Sequence, residues 1–158
     1  MKKLITIIAF VMIAAMSFAQ TTVTTPSKDI KLQLRGIRQL GDDVELTLLV
    51  TNLSNAEAVV NLVGGIYQNG AGGSVAYDND GNVYELSRVL VSVANKTLTD
   101  QYSATAFPPQ VPVKCHLLIK NVAPEATAFT RINICVLCPQ LSLNNIGARF
   151  EINNVSFK

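Results

Sequence analysis

Through most of this chain apolar and polar residues alternate one for one, in short runs that Gly, Pro, Asn or Asp breaks. Ile30, Leu32 and Leu34 alternate with Lys31, Gln33 and Arg35, and Val44, Leu46, Leu48 and Val50 alternate with Glu45, Thr47 and Leu49. A period of two sends successive side chains to opposite faces of a pleated strand, so each run is a strand with one buried face. Gly41-Asp42-Asp43 between the two runs has the residues of a tight reversal and predicts an antiparallel hairpin. A third apolar run covers Ala58 to Val63, and Ser74–Tyr77 with Val83–Leu86 flank Asp78-Asn79-Asp80-Gly81-Asn82 as a second hairpin. Val89, Val91 and Val93 continue the pattern. Residues 94 to 112 read as irregular, with Phe107-Pro108-Pro109 and Pro112 excluding a helix and favouring an extended edge segment. Strand patterns return at Val113, Cys115, Leu117 and Ile119, at Ala128 to Leu137, and at Ile146 to Phe157, where Asn153-Asn154 shifts the phase and predicts a bulge. Seven to nine strands with no amphipathic helix predict an all-β chain folded as an antiparallel β-sandwich.

Residues 1–19, MKKLITIIAFVMIAAMSFA, follow different rules. Lys2 and Lys3 precede an unbroken apolar stretch from Leu4 to Ala15, and Ser17-Phe18-Ala19 ends it as a small-x-small site. That is the pattern of a cleaved export signal, too short for the ~20 apolar residues that span hydrocarbon. Gln20 stands where a lipoprotein has cysteine, so the expectation is an exported, non-acylated protein, periplasmic or extracellular. Cleavage of 19 of the 158 residues leaves 139, one domain's worth. The thirteen basic residues include Lys2 and Lys3, so the mature chain has eleven against eleven acidic ones. Without clustered cations it has no means of displacing phosphate counterions, which excludes a nucleic-acid partner. No second run of membrane-spanning length follows. Residues 20–28, a polar Thr-rich stretch, read as a flexible leader, and 29–158 as the sandwich domain.

Few residues invite chemistry. Asp78-x-Asp80-Gly81-Asn82 has the clustered carboxylates of a calcium loop, but in that register the first ligand is Ala76 and the twelfth Ser87. Asp78, Asp80 and Glu85 are left as a loose surface site, beside the plainer reading of a hairpin turn. Cys135-Val136-Leu137-Cys138 is followed by Pro139 and no helical pattern, unlike a thioredoxin-type pair. An extended chain holds such cysteines ~10 Å apart, so a local bridge needs a turn at Val136-Leu137. Cys115 faces the core with Val113, Leu117 and Ile119. Export makes one disulfide reasonable, with Cys115 paired to Cys135 or Cys138 slightly ahead of the local pair. Cys115 and His116 point to opposite faces, which disfavours zinc. His116 is the sole histidine, beside Lys114 on an outward face, and reads as surface. No cofactor and no catalytic constellation are expected.

Residues 64 to 73 carry five glycines in ten positions and read as a mobile loop. Within it Tyr67, Gln68 and Asn69 are candidate binding residues, with Tyr77, Tyr84 and Tyr102 able to complete an aromatic face.

Three stretches, Val44–Asn52 ending in Thr-Asn, Ala76-Tyr-Asp-Asn-Asp-Gly-Asn-Val-Tyr84, and Phe107-Pro-Pro-Gln-Val-Pro-Val-Lys114, carry a resemblance. Their order resembles that of exported bacterial immunoglobulin-like domains of unknown function, in which an Asp-x-x-Gly-Asn-x-Tyr hairpin precedes a proline-bearing connection. The resemblance spans about half of the mature chain and rests on structural punctuation. It implies an immunoglobulin-like sandwich with an envelope or extracellular address, and no catalytic residues. The function expected is a non-enzymatic module binding an envelope protein or glycan through a sheet edge or the loops at 64–73 and 95–110. The alternatives are a small carbohydrate- or ligand-binding module around Tyr67 and an unrecognised hydrolase.

Overall fold

The computed structural model describes residues 20–67, 72–144 and 148–158. The expected export signal at 1–19, Gln68 and Asn69 of the candidate loop, and Ile146, the expected start of the last strand, lie outside the described residues. Among the described residues eleven strands occur in order: β1 (Thr22–Thr24), β2 (Ile30–Leu40), β3 (Asp43–Asn52), β4 (Ala58–Val63), β5 (Val75–Asp78), β6 (Val83–Tyr84), β7 (Val89–Val93), β8 (Tyr102–Phe107), β9 (Pro112–Ile119), β10 (Ala128–Leu137) and β11 (Arg149–Ser156). They form two antiparallel sheets. One has four strands in the order β2-β3-β9-β7. The other has seven, along the path β1-β11-β10-β4-β8, with β5 on β10 and β6 on β5.

The two inner faces make one core. Leu46, Leu48 and Val50 of β3 and Leu117 and Ile119 of β9 meet Ile132, Ile134, Phe150 and Ile152 from the opposite sheet, all fully buried. Sheets packed face to face in this way interdigitate across ~10 Å, and each buried Leu, Ile or Phe contributes ~1.5–3 kcal/mol. The buried members are those the alternation assigns inward.

Phase is reset in two places. β2 runs past Arg35 to Leu40 because a bulge between Leu34 and Gly36 turns Ile37 back toward the core, opposite Leu46. In β11, Asn154 adopts φ +58° and the buried positions pass from Phe150 and Ile152 to Val155. β10 shifts with it, from Ile132 to Phe129, so the β10–β11 register is the same on both sides while the β10–β5 register slips.

Two segments read as irregular are strands. Within the polar leader, Thr22–Thr24 pairs with Glu151–Asn153, and Val23 packs partly against the core. Within 94–112, Tyr102–Phe107 pairs along the whole of β4 and forms the edge of the larger sheet. Its sequence, YSATAF, is mostly small or polar, which hides the period. The edge is guarded in a familiar way, with the Lys96 ammonium donating to the Ala104 carbonyl.

Candidate functional site

At the centre of the larger sheet, where one partner of β10 gives way to the next, a side chain fills the gap. β10 is paired with β5 as far as Asn133 and with β4 from Cys135. At the changeover the Ser74 hydroxyl donates to the Val63 carbonyl at 2.5 Å and accepts from the Cys135 amide at 2.8 Å. Both backbone groups are buried and need a partner. Ser74 itself is held by its amide, which donates to the Gly64 carbonyl at 2.7 Å.

This junction corrects the picture of a mobile glycine loop. Gly64, Gly65 and Gly73 are buried, and a Cβ on any of them meets neighbouring backbone closer than 3.0 Å: Asp100 for Gly64, Leu86 for Gly65, Gly65 itself for Gly73. These glycines permit close packing of backbone on backbone, a use of the residue that composition alone does not separate from flexibility. The Arg149 guanidinium pins the far end, donating to the Gly73 carbonyl at 2.8 Å and the Gly72 carbonyl at 3.1 Å.

The four tyrosines lie in three places. Tyr84 is fully buried. Tyr67 packs edge-on against Tyr102 of β8, with ring centroids 5.8 Å apart. Tyr77 stands apart from both, on β5 opposite Arg131.

The Asp78–Asn82 turn is organised inward. The Asp78 carboxylate accepts from the Asp80 and Asn82 amides at 2.9 and 2.8 Å, from the Asn82 side chain at 2.8 Å and from the Tyr84 hydroxyl at 2.7 Å. Burial pushes its pKa up, but these bonds outweigh burial and hold the carboxyl below its ordinary value. The Tyr84 hydroxyl in turn accepts from the Ala123 amide at 3.0 Å, and the Arg88 guanidinium lies 4.4 Å over its ring. Both Asp78 oxygens are thus engaged by the protein, and the residue knits the turn to the core. Among the described residues, no three His, Cys, Asp or Glu side chains are grouped so as to hold a metal ion.

All three cysteines stand as buried thiols. Cys138 continues the extended backbone at φ −154°, so no turn brings it back to Cys135, and Val136 and Cys138 face the core while Cys135 faces the other side of the sheet. Cys115 packs in the core from β9, as its phase requires. Burial raises all three thiols, Cys115 to about 12. Relative to an ordinary value of 9.0, Cys115 at pH 8 has a roughly 1000-fold smaller thiolate share. Iodoacetamide is therefore expected to leave Cys115 unmodified in the native protein and to label it within minutes in guanidinium, read by mass spectrometry. Because the folded value lies above the unfolded one, the stabilising contribution is complete below pH 9 and is lost as pH rises toward 12. Equal labelling rates in the two conditions would exclude the buried placement.

His116 is less bland than a surface histidine. Its Nδ1 is buried and lies 3.4 Å from Glu45, which also binds Arg38 at 2.7 Å, so the three form a row on the outer face of the smaller sheet. Asp43, expected as a solvated turn residue, accepts from the Asn121 amide at 2.9 Å and ties the β2–β3 turn to the segment after β9.

What the strands do assemble is the outer face of the larger sheet. β5, β10, β11 and β1 lie side by side there, so Tyr77, Arg131, Asn153 and Thr22 form one row of paired positions and Val75, Asn133, Glu151 and Thr24 the next. Three grooves mark this face. They are contiguous, because Asn133 lines the first and third, Tyr77 the second and third, and Arg149 the first and second. The first and third, about 540 and 390 Å³, fall within the ~300–1,000 Å³ of small-molecule sites. The strand patterns at 74–77, 128–137 and 146–157 cover most of these residues, Thr22 and Thr24 lie in the stretch read as a leader, and strand order is needed to show that they adjoin.

No protein-family model matches this chain, and no curated protein or solved structure matches it either.

Proposed function

We propose that this protein is an exported, non-enzymatic binding module of the cell envelope, and that it binds through the outer face of the larger sheet. The observation that carries this reading is the continuity of the three grooves across four neighbouring strands, with polar side chains on a platform that a sheet holds rigid. The export signal at 1–19 and the resemblance to exported immunoglobulin-like domains support the address. Among the described residues, no helix is long and apolar enough to cross a membrane.

A second surface, the exposed Tyr102 with Tyr67 beside it at the β8 edge, favours the sheet-edge route, since an edge strand can recruit a partner by backbone pairing. Crosslinking in the native host separates the two. The tagged mature protein is expected to retain an envelope component that is lost when Asn133 and Asn153 are both changed to alanine, and kept when Tyr102 is changed to serine. Retention unaffected by the first pair of substitutions would overturn the assignment to the sheet face.

A further inference from the structure

Resting on that assignment, the chemistry of the face points to its ligand class: we infer that it binds a neutral polysaccharide. The charges on the face balance, with Arg131 and Arg149 set against Glu85 and Glu151 along the grooves. Arg149 spends two guanidinium nitrogens on the carbonyls of Gly73 and Gly72, and Arg131 lies 3.8 Å from Glu151. An anionic polymer entering here meets the Glu151 carboxylate between the two arginines' positions on the sheet, and a cationic one meets the guanidinium groups. Charge complementarity therefore selects a neutral ligand.

The remaining groups match hydroxyls. A sugar hydroxyl both donates and accepts, and an asparagine amide offers two donors and an acceptor in one plane. Asn133 and Asn153 supply two such amides on adjacent strands, with Thr24 and Thr130 hydroxyls around them. Asn153 is oriented by a 2.9 Å bond to Glu151, which fixes where its free carbonyl points. Asn133 and Asn153 stand on adjacent strands but in successive rows, a diagonal of ~7–8 Å, so a chain laid obliquely across the strands meets one amide and then the other. Tyr77 borders the same groove and supplies an aromatic ring. The two rows contain only Val75 and Tyr77 as large apolar side chains, so the strands themselves offer an apolar peptide little.

Affinity electrophoresis in native gels tests this with defined probes: a linear β-glucan, an α-mannan and dextran as neutral polymers, and dextran sulfate as the anionic one. At least one neutral polymer is expected to retard the wild-type protein, equally at 0.05 and 0.5 M salt because no ion pair is formed. Asn133→Ala and Asn153→Ala are each expected to weaken that retardation about tenfold, with unchanged thermal unfolding, and Arg38→Ala on the opposite sheet to leave it intact. Retardation by dextran sulfate alone, retardation indifferent to both asparagine substitutions, or none by any neutral polymer would overturn the inference. If the crosslinked component is still lost from the asparagine double variant while no neutral polymer binds, the ligand class is wrong and the binding face stands.

Discussion

Replacing Asp78 with alanine is expected to lower stability by about 3–5 kcal/mol, near the top of the range for a single substitution. The carboxylate is the common acceptor for two backbone amides, the Asn82 side chain and the Tyr84 hydroxyl, and its removal strands the buried Tyr84 hydroxyl. Each orphaned buried donor costs ~1–3 kcal/mol, more than the net gain of the bond it once made. Thermal unfolding followed by circular dichroism should show a fall of about 10–15 °C in a domain of this size. Tyr84→Phe removes one donor and the acceptor for the Ala123 amide, and should cost ~1–2 kcal/mol. The double variant should fall short of the sum, because both lesions break one network. Additive losses would mean that the two side chains act separately. The acid limb offers an independent check. The Asp78 carboxyl titrates below its ordinary value of 3.8 in the folded state, so its contribution is complete above that value and is lost as pH falls through the lower, folded one. Urea midpoints at pH 7 and pH 3 should therefore differ more for the wild type than for Asp78→Ala.

Gly65→Ala is expected to cost about 3 kcal/mol, and to do so by collision rather than by loss of a contact. The added methyl would meet the nitrogen, carbonyl carbon and oxygen of Leu86 closer than 3.0 Å, and none of these can rotate away as a side chain would. Nor can Gly65 itself retreat easily. Its amide donates to the Val89 carbonyl at 2.8 Å, and Gly73 packs on its other side. The informative comparison is Gly41→Ala in the β2–β3 turn, where the space is open and only the φ of +63° is unfavourable. That change should cost ~1 kcal/mol. If Gly65→Ala melts within a degree of the wild type, residues 64–65 are not packed as described.

These two sites mark where sequence reasoning ran short. Period two placed β3 and β9 with their buried faces because a sheet with one wet side writes its burial into every second residue. Asp78 and Gly65 obey no such rule. An aspartate before Asn-Asp-Gly reads the same whether its carboxylate faces water or the Tyr84 hydroxyl, and a glycine pair reads the same whether it is loose or wedged between backbones. Both meanings depend on residues distant in the chain, Ala123 and Leu86 among them. β8 and β1 were missed for a different reason: their side chains are small or polar, and it is backbone pairing with β4 and β11 that makes them strands. The grooved face was half legible. The runs that become β5, β10 and β11 read as strands, but the adjacency of their outward residues follows from placing them and β1 next to one another, which no local pattern encodes.

The pairing of β1 with β11 bears on the order in which the molecule can be finished. A chain is made from its N-terminus, so every strand of the smaller sheet, including the β2–β3 hairpin, is available once Ile119 has been made. The larger sheet has to wait, because β10 is its seam and β11 is the only neighbour of β1 in it. Thr22 finds its partner Asn153 only after the strands between them have been made. A nascent chain therefore holds one sheet with its inner face uncovered, and long-range closure of this kind is slow. Completion of the larger sheet is in effect a readout of β11, and a truncation removing β11 should leave β1 without its partner.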